Sequence, residues 1–401
     1  MRHNQTLTVA SLGVAQTLAW ASSYYLPAIL AVPMARDLGV RTTTVFAAFS
    51  AALVVSAVLG PLAGRLIDRH GGRPVLAANS LVFAAALALM ALAQGPVTLF
   101  AAWLLMGVAM SAGLYEAAFA ALVHLYGKNA RSAITGITLI AGFASTVGWP
   151  LTAWLELEGG WRTACLTWAG LHLLLGLPLN WRLPASSPAG NDRASIEPIR
   201  TPAQAPAETA TGTVRSGPGS SRTSILLALV FAITWFISTA MAAHLPRLLQ
   251  AGGIALATAL VFAGLVGPAQ VAGRLLEYGL LRHIHPLVSA RLAGLMHTLG
   301  ALAFLLFGVP AGALFTLLHG AGNGVLTIAK GTLPLVLFGS QNYGARQGLL
   351  MVPARFAQAL SPWLFGLAID RFGAGALWFS AGLGLLGFAA LMMLRDAEAA
   401  P

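Results

Sequence analysis

Residues 64–73 read GRLIDRHGGR and separate two long apolar runs near the N-terminus. Short basic loops of this kind are typical of the cytoplasmic side of a membrane protein, where Lys and Arg are concentrated. Gly64 is expected to let neighbouring helices approach, and Asp68 to cap or pair near a helix end. The stretch therefore predicts membrane-spanning helices on both sides of it.

The composition of the whole chain supports a membrane protein. Of its 401 residues, 57% are hydrophobic and only 9% are charged, and the mean hydropathy is +0.78. A soluble domain carries about 25% charged residues because its surface must be wetted. Apolar runs recur from end to end, which excludes a soluble domain with a single anchor. Since one crossing needs ~20 residues, the length predicts about twelve transmembrane helices.

Several functional classes are excluded by particular residues and motifs. The net charge of +11 marks cytoplasmic loops in a membrane protein, so no nucleic-acid partner is expected. The single cysteine, Cys165, allows no internal disulfide and no thiolate metal site. A Walker loop, a nucleophile elbow and an H-E-x-x-H motif are all missing from the sequence, so neither ATP hydrolysis nor another enzymatic activity is expected. No metal or other cofactor is predicted.

The apolar runs define twelve candidate spans, and the first is long because Pro27 and Pro33 are expected to kink or end it. The spans run roughly over 7–34, 42–63, 75–94, 97–122, 132–155, 162–181, 223–247, 254–280, 287–307, 309–330, 346–368 and 374–394.

One segment interrupts the apolar pattern and divides the chain. Residues 184–222 are rich in Pro, Ser, Thr, Gly and Ala and poor in large apolar side chains. This composition cannot bury a core, so it predicts a flexible cytoplasmic linker. The linker separates an N-terminal six-helix half, residues 1–183, from a C-terminal six-helix half, residues 223–401.

The two halves carry matching features, which indicates a duplication. Tyr126-Gly127 and Phe338-Gly339 each close the fourth helix of a half, and Pro150 and Pro362 lie in the fifth helices at the same offset. Duplicated halves around a central site are common in transporters that alternate access.

The distribution of basic residues predicts the orientation. Most Lys and Arg residues fall in loops on the side of the two termini, so both termini are placed in the cytoplasm and the protein in the inner membrane. The N-terminus MRHNQTLTV leads into a long apolar run without a small-residue cleavage site, so the first helix is expected to be retained.

Residues 64–73 closely resemble the G-x-L-x-D-R-x-G-R-R loop signature of the major facilitator superfamily, and Gly160-Trp161-Arg162 also looks like that superfamily. The resemblance implies an all-α membrane protein of twelve helices in two pseudo-symmetric six-helix bundles. It implies secondary transport by a monomer, with the first, fourth, seventh and tenth helices lining a central cavity. The residues that would form its conformational-switch loop are Gly64, Asp68, Arg69, Gly71 and Arg73.

Ionisable residues inside the spans are candidates for function because burying a charge in a membrane is costly. They are Glu116, Arg274, Glu277, Lys330 and Arg355. By the repeat offset, Glu116 in the fourth span and Lys330 in the tenth are expected at similar depth on opposite walls of one cavity. Alternatively, both lie near the cytoplasmic helix ends and extend to water.

A narrower resemblance concerns the two arginines. Oxalate/formate antiporters and monocarboxylate transporters carry a Gly-Arg pair in the eighth helix and a basic residue in the eleventh. Gly273-Arg274 and Arg355 lie where those groups are expected, and Asn342-Tyr343-Gly344 also looks like that branch. Two guanidinium groups there would bind a carboxylate. The alternative is a structural Arg274–Glu277 ion pair, and Arg282-His283-Ile284-His285 departs from the acidic signature of such transporters.

Polar neutral residues complete the candidate site. Tyr24 and Tyr25 either hydrogen-bond a substrate or line the outer membrane interface. Asn323 in the tenth helix and Gln358 in the eleventh are further candidate substrate ligands. Glu116 and His319 are candidates for proton coupling, since both side chains can take and release a proton.

These features predict a carrier of a small organic anion, similar to a monocarboxylate, that is driven by protons or by exchange. The alternative is a proton-coupled efflux pump for drugs or other toxic solutes, including metalloids. Against that alternative, the fourth helix has Glu116 and no arginine, and Gly142–Pro150 matches the efflux motif weakly. A receptor or regulator that moves no substrate is a third class, but the chain offers no soluble output domain.

Overall fold

A computed structural model describes residues 2–126, 130–184, 218–279, 284–338 and 343–394, and these ranges contain helices and no strand. The α-helices are α1 Arg2–Ser22, α2 Pro27–Asp37, α3 Thr42–His70, α4 Gly72–Ala91, α5 Pro96–Gly113, α6 Tyr115–Tyr126, α7 Ala130–Ala141, α8 Ala144–Leu171, α9 Leu177–Trp181, α10 Pro218–Ala251, α11 Leu256–Gly264, α12 Val266–Gly279, α13 Pro286–Phe307, α14 Gly312–Phe338, α15 Tyr343–Phe372 and α16 Ala376–Met393.

The described residues contain ten stretches that are long and apolar enough to cross a membrane. Two of them, Ala133–Trp181 with 49 residues and Leu349–Met393 with 45, are each long enough for two crossings. The first is interrupted at Gly160, whose φ of 77° is not helical. The second is interrupted by the 3₁₀ turn Gly373–Gly375. The ten stretches therefore accommodate the twelve predicted spans.

The first span is broken where its prolines predicted an interruption. Helix α1 ends at Ser22 and α2 begins at Pro27, because proline lacks an N–H and fits the first turn of a helix. Pro33 lies inside α2 and does not end it. The break leaves Tyr24 and Tyr25 between two helices in the middle of the span.

The spans containing α5–α6 and α11–α12 are also broken, at Leu114 and Leu265. An unpaired carbonyl inside a membrane is costly, so polar side chains satisfy the backbone near such breaks. Gln16 Nε2 donates to the carbonyl oxygen of Gly113 at 2.8 Å. Thr146 Oγ1 donates to the carbonyl oxygen of Gly264 at 2.8 Å. Both donors come from distant helices, so these bonds help to hold the bundle together.

We call α1–α9 the first half and α10–α16 the second half. The halves meet where α3 packs against α15, α2 against α10, and α8 against α11. At this contact the Phe46 ring lies 3.9 Å from the His244 ring, centroid to centroid. His244 Nε2 lies 2.7 Å from the carbonyl oxygen of Pro362. We call this region, defined by Phe46, His244 and Pro362, the closed end.

Most of the predicted linker, at residues 185–217, lies outside the described residues. Helix α10 begins at Pro218, five residues before the predicted start of the seventh span at 223. The last residues of the predicted linker are therefore helical.

The stretch 64–73 is the end of α3 and the start of α4, joined at Gly71, whose φ is 83°. Glycine adopts this left-handed region without strain. The expected close helix approach at Gly64 is not seen, because no described atom lies within 4 Å of the position of a Cβ there. Gly72 has that role instead, since a Cβ there would lie 2.3 Å from Ala121 Cβ. The side chain of Asp68 lies outside the described part of the chain.

Two of the three arginines of this stretch, Arg69 and Arg73, belong to the predicted switch loop. Arg69 is exposed, and the guanidinium carbon of Arg73 lies 4.7 Å from the centroid of the Trp181 ring. This contact ties the start of α4 to the end of α9.

Candidate substrate-binding cavity

A cavity of about 280 Å³ lies between the two halves. Both halves supply its wall, through the breaks in the first and fourth spans and through α7, α8, α10, α12, α14 and α15. The lining residues are Trp20, Tyr24, Tyr25, Tyr115, Phe119, Thr138, Ala141, Trp149, Trp235, Ser238, Met241, Ala242, Leu245, Val266, Gln270, Arg274, His319, Asn323, Thr327, Lys330 and Met351.

Aromatic side chains form much of the wall that the first half supplies. The Trp20 ring lies 4.9 Å from the Tyr24 ring and 4.9 Å from the Tyr115 ring, centroid to centroid. The Tyr25 ring meets Trp149 edge to face at 5.4 Å. Tyr24 and Tyr25 are cavity residues in this structure, which agrees with the first of their two predicted positions.

A hydrogen-bond link joins the halves beside these rings. The hydroxyl of Tyr24 lies 2.6 Å from Thr239 Oγ1 in α10. Gln358 Nε2 in α15 donates to the same hydroxyl at 3.3 Å. Gln358 therefore contacts a residue of the cavity wall, although it does not line the cavity itself.

The second half supplies two basic side chains to the wall, Arg274 from α12 and Lys330 from α14. Arg274 Nη1 donates to the carbonyl oxygen of Thr138 in the first half at 2.8 Å. Lys330 Nζ lies 4.0 Å above the centroid of the Trp235 ring. Lys330 thus lies in the cavity, as one of its two predicted positions required.

The alternative predicted for Arg274 was an ion pair with Glu277. Both side chains are described, and they form no ion pair. Glu277 is buried and does not line the cavity. Arg274 Nε is also buried and has no hydrogen-bond partner among the described residues. Arg274 therefore contacts the first half through Nη1 and forms no ion pair with Glu277.

Arg355 lies on the face of α15 that is directed toward the space between the two halves. Met351, Arg355 and Gln358 follow the i, i+4, i+7 spacing of one helix face. Met351 lines the cavity and Gln358 contacts Tyr24, while Arg355 between them is exposed. No ion pair joins Arg355 to any other residue in the described part of the chain. Arg355 is thus a third cation beside the cavity but outside its immediate lining.

Among the remaining candidates, His319 and Asn323 line the cavity. His319 Nδ1 lies 3.0 Å from Nδ1 of the buried His297 in α13. His297 Nε2 in turn lies 3.2 Å from the hydroxyl oxygen of Ser380 in α16. The side chain of Glu116 lies outside the described residues, and only its place in α6, beside Tyr115, is known.

Several residues of the cavity wall were not predicted from the sequence. Trp20, Trp149 and Trp235 line the cavity, as does the backbone-bonded Thr138. A tryptophan in an apolar span looks the same in sequence whether it faces lipid or a cavity. For Trp20 and Trp149 a nearby helix break is a signal that points inward, whereas Trp235 lies in the unbroken helix α10.

Gly273 explains how Arg274 reaches this position. A Cβ on Gly273 would lie 2.5 Å from the carbonyl oxygen of Ala321 in α14, so only glycine allows α12 to approach α14 this closely. We expect Gly273→Ala to destabilise the protein by roughly 1–3 kcal/mol, and to weaken ligand binding by shifting Arg274. Thermal unfolding of the purified variant measures the first effect.

Gly264→Ala is the matched control for this substitution, because no atom lies within 4 Å of a Cβ at Gly264. If Gly273→Ala and Gly264→Ala unfold at the same temperature as the unmodified protein, the close approach does not constrain α12.

Apolar helices, several of them broken, surround a cavity between two halves, an arrangement typical of multi-pass membrane transporters. The profile of the Major Facilitator Superfamily matches residues 12–328, and the chain belongs to that family. It is a transporter and not an enzyme, and its fold is that of a secondary transporter.

One relative matches most of the length of the chain. The chain is 28% identical over 373 residues to an uncharacterised 38 kDa protein encoded in the 23S RNA operon of Thermoproteus tenax, covering 92% of this chain and 91% of that one.

Solved structures show the same fold at low sequence identity. The nucleoside transporter NupG superposes with a TM-score of 0.74 at 14% identity, over 98% of this chain and all of that one. A bacterial homologue of the lysosomal transporter Spinster, inward-facing and unoccupied, gives a TM-score of 0.67 at 16% identity, over 98% and 95% of the two chains. These similarities show the shared fold and do not point to the oxalate/formate or monocarboxylate branch.

Proposed function

We propose that this protein carries a small organic anion, similar to a monocarboxylate, across the inner membrane by alternating access. The charge of the cavity carries the proposal. Its lining includes two basic side chains, Arg274 and Lys330. A guanidinium group in a cavity of low dielectric attracts a carboxylate and can bind it through two parallel hydrogen bonds.

The proposal assigns roles to the remaining groups. Arg274 and Lys330 hold the carboxylate, and Arg355 attracts it on entry. Tyr24, Tyr25, Asn323 and Gln358 position the solute by hydrogen bonds. The stretch containing Gly64, Asp68, Arg69, Gly71 and Arg73 acts in the conformational switch, and the transporter works as a monomer with both termini in the cytoplasm.

Binding of carboxylates by the purified protein tests this function. A ligand that binds the folded state alone raises the melting temperature by mass action. We expect stabilisation by small carboxylates and none by toxic cations or metalloids. Stabilisation by cations or neutral toxicants alone would overturn the anion carrier and favour the efflux pump.

Coupling to protons is proposed to use Glu116 and His319, since a group that titrates in the cavity can carry a proton through the cycle. We expect Glu116→Gln to reduce proton-driven accumulation of the substrate more strongly than exchange of substrate for substrate. Exchange needs no net proton movement, so it should survive the loss of the carboxyl group. Proteoliposomes with and without an imposed pH gradient separate the two activities.

The exposed Glu158 provides the control, because Glu158→Gln removes the same charge outside the cavity. Equal loss of accumulation and exchange in Glu116→Gln would assign Glu116 to binding or to structure instead.

A further inference from the structure

The unpaired polar atoms of the cavity wall are all donors. Four lining residues carry a buried nitrogen without a hydrogen-bond partner among the described residues: the indole Nε1 of Trp20, Trp149 and Trp235, and Nε of Arg274. A buried donor left without an acceptor costs about 1–3 kcal/mol. These four nitrogens have almost no accessible surface and lie behind the wall, so the selection of a ligand falls to the rings and the cations that line the cavity.

The same wall presents flat aromatic surfaces from both halves. Trp20 and Tyr115 come from the first half, with ring centroids 4.9 Å apart, and Trp235 comes from the second. Aromatic pairs prefer stacked or edge-to-face contacts, which contribute about 0.5–1.5 kcal/mol beyond the area they bury. Rings on two sides of a cavity suit a planar solute between them.

The rings and the cations are close to each other. Tyr115 lies within electrostatic reach of Arg274, and the Trp235 ring lies directly under Lys330 Nζ at 4.0 Å. A single small molecule can therefore touch a cation with one end and an aromatic ring with the other. An aliphatic acid of two or three carbons can reach the cations but has no ring to place against the aromatic side chains of the wall.

We infer that the transported anion is an aromatic carboxylate, with its carboxylate at Arg274 and Lys330 and its ring against Trp20, Tyr115 and Trp235. This inference rests on the proposed anion transport and narrows its substrate class. The aliphatic monocarboxylates then bind weakly, because they meet the cations without the rings.

Thermal-shift titration of the full-length purified protein tests the inference with five probes: benzoate, 4-hydroxybenzoate, cyclohexanecarboxylate, L-lactate and uridine. Cyclohexanecarboxylate matches benzoate in size and charge but has no aromatic ring. We expect benzoate and 4-hydroxybenzoate to bind about tenfold more tightly than cyclohexanecarboxylate, as expected for one aromatic contact worth ~1.4 kcal/mol. Lactate should bind more weakly still.

Trp235→Leu is expected to abolish the preference of the protein for benzoate over cyclohexanecarboxylate, while Trp154→Leu keeps it. Trp154 is 56% exposed and does not line the cavity, so it controls for the loss of an indole. If Trp235→Leu does not fold, Trp20→Leu tests the same preference from the other half.

The outcomes separate this inference from the function on which it rests. Equal binding of lactate, benzoate and cyclohexanecarboxylate would overturn the aromatic class and leave an anion carrier. Binding of uridine alone would overturn both, and would indicate a neutral heterocycle. A lack of stabilisation by every carboxylate would likewise contradict both.

Discussion

Arg355→Ala is expected to abolish carboxylate transport without reducing the amount of folded protein in the membrane. The exposed side chain of Arg355 lies on the face of α15 between the halves and forms no ion pair with a described residue. Its removal therefore breaks no described ion pair, and the lost interaction is the one with the solute. Uptake into proteoliposomes, with folded protein measured by size-exclusion chromatography, gives both readouts.

The expected size of the effect follows from the kind of contact. A hydrogen bond between the entering carboxylate and Arg355 would contribute ~1.5–3 kcal/mol, so its loss should weaken capture of the solute about 10- to 100-fold, which abolishes measurable uptake at low substrate concentration. Arg274→Gln should show a loss at least as large, since Arg274 lines the cavity. It should also cost stability, because Arg274 Nη1 bonds the carbonyl oxygen of Thr138 across the halves.

Arg371→Ala is the matched control, because it removes an exposed arginine at the other end of the same helix. Arg355→Lys tests geometry, since lysine keeps the charge but cannot form two parallel bonds to a carboxylate. Uptake by Arg355→Ala at the level of the unmodified protein would refute the role of Arg355. The role of Arg274 would then still be tested by Arg274→Gln.

Gly366→Phe is expected to stop transport while leaving ligand binding intact. A Cβ at Gly366 would lie 3.3 Å from His244 Cε1 and 3.4 Å from Phe46 Cδ2, so a phenyl group there cannot fit while the closed end is packed. Overpacking costs about 1–3 kcal/mol, which lowers the population of this closed arrangement about 5- to 150-fold. A carrier that alternates access must close this end in every cycle.

The control for this substitution is Gly382→Phe, because no atom lies within 4 Å of a Cβ at Gly382 in α16. Uptake measures transport, and the carboxylate-induced shift of melting temperature measures binding. Normal uptake by Gly366→Phe would show that the packing of Phe46, His244 and Gly366 is not required in the transport cycle.

Several features of the fold and cavity were predictable because a membrane restricts which backbone structures an apolar sequence can adopt. Apolar runs of about twenty residues have few alternatives to spanning helices, and both the helical fold and the superfamily are confirmed. An ionisable residue within a span must avoid lipid, so Arg274 and Lys330 were expected near a cavity, and both line it. Their part in binding a substrate stays a prediction.

The structure also corrected particular interpretations. The Arg274–Glu277 spacing allowed an ion pair, but Arg274 turns to Thr138 instead. Gly64 was expected at a close helix contact, yet Gly72 occupies one. In both cases the spacing along one helix predicts which residues share a face of that helix. It does not predict which neighbouring helix packs against that face.

The sequence alone determined that this protein is a helical membrane transporter, because hydropathy, loop charge and the 64–73 motif are each properties of short stretches of consecutive residues. Only the tertiary structure decided which side chains share the cavity. The bond from Arg274 to Thr138 joins residues 136 positions apart, and the rings of Trp20 and Trp235 come from different halves. Such contacts depend on where helices are interrupted and how they pack against one another. A sequence pattern within a single helix does not predict that packing.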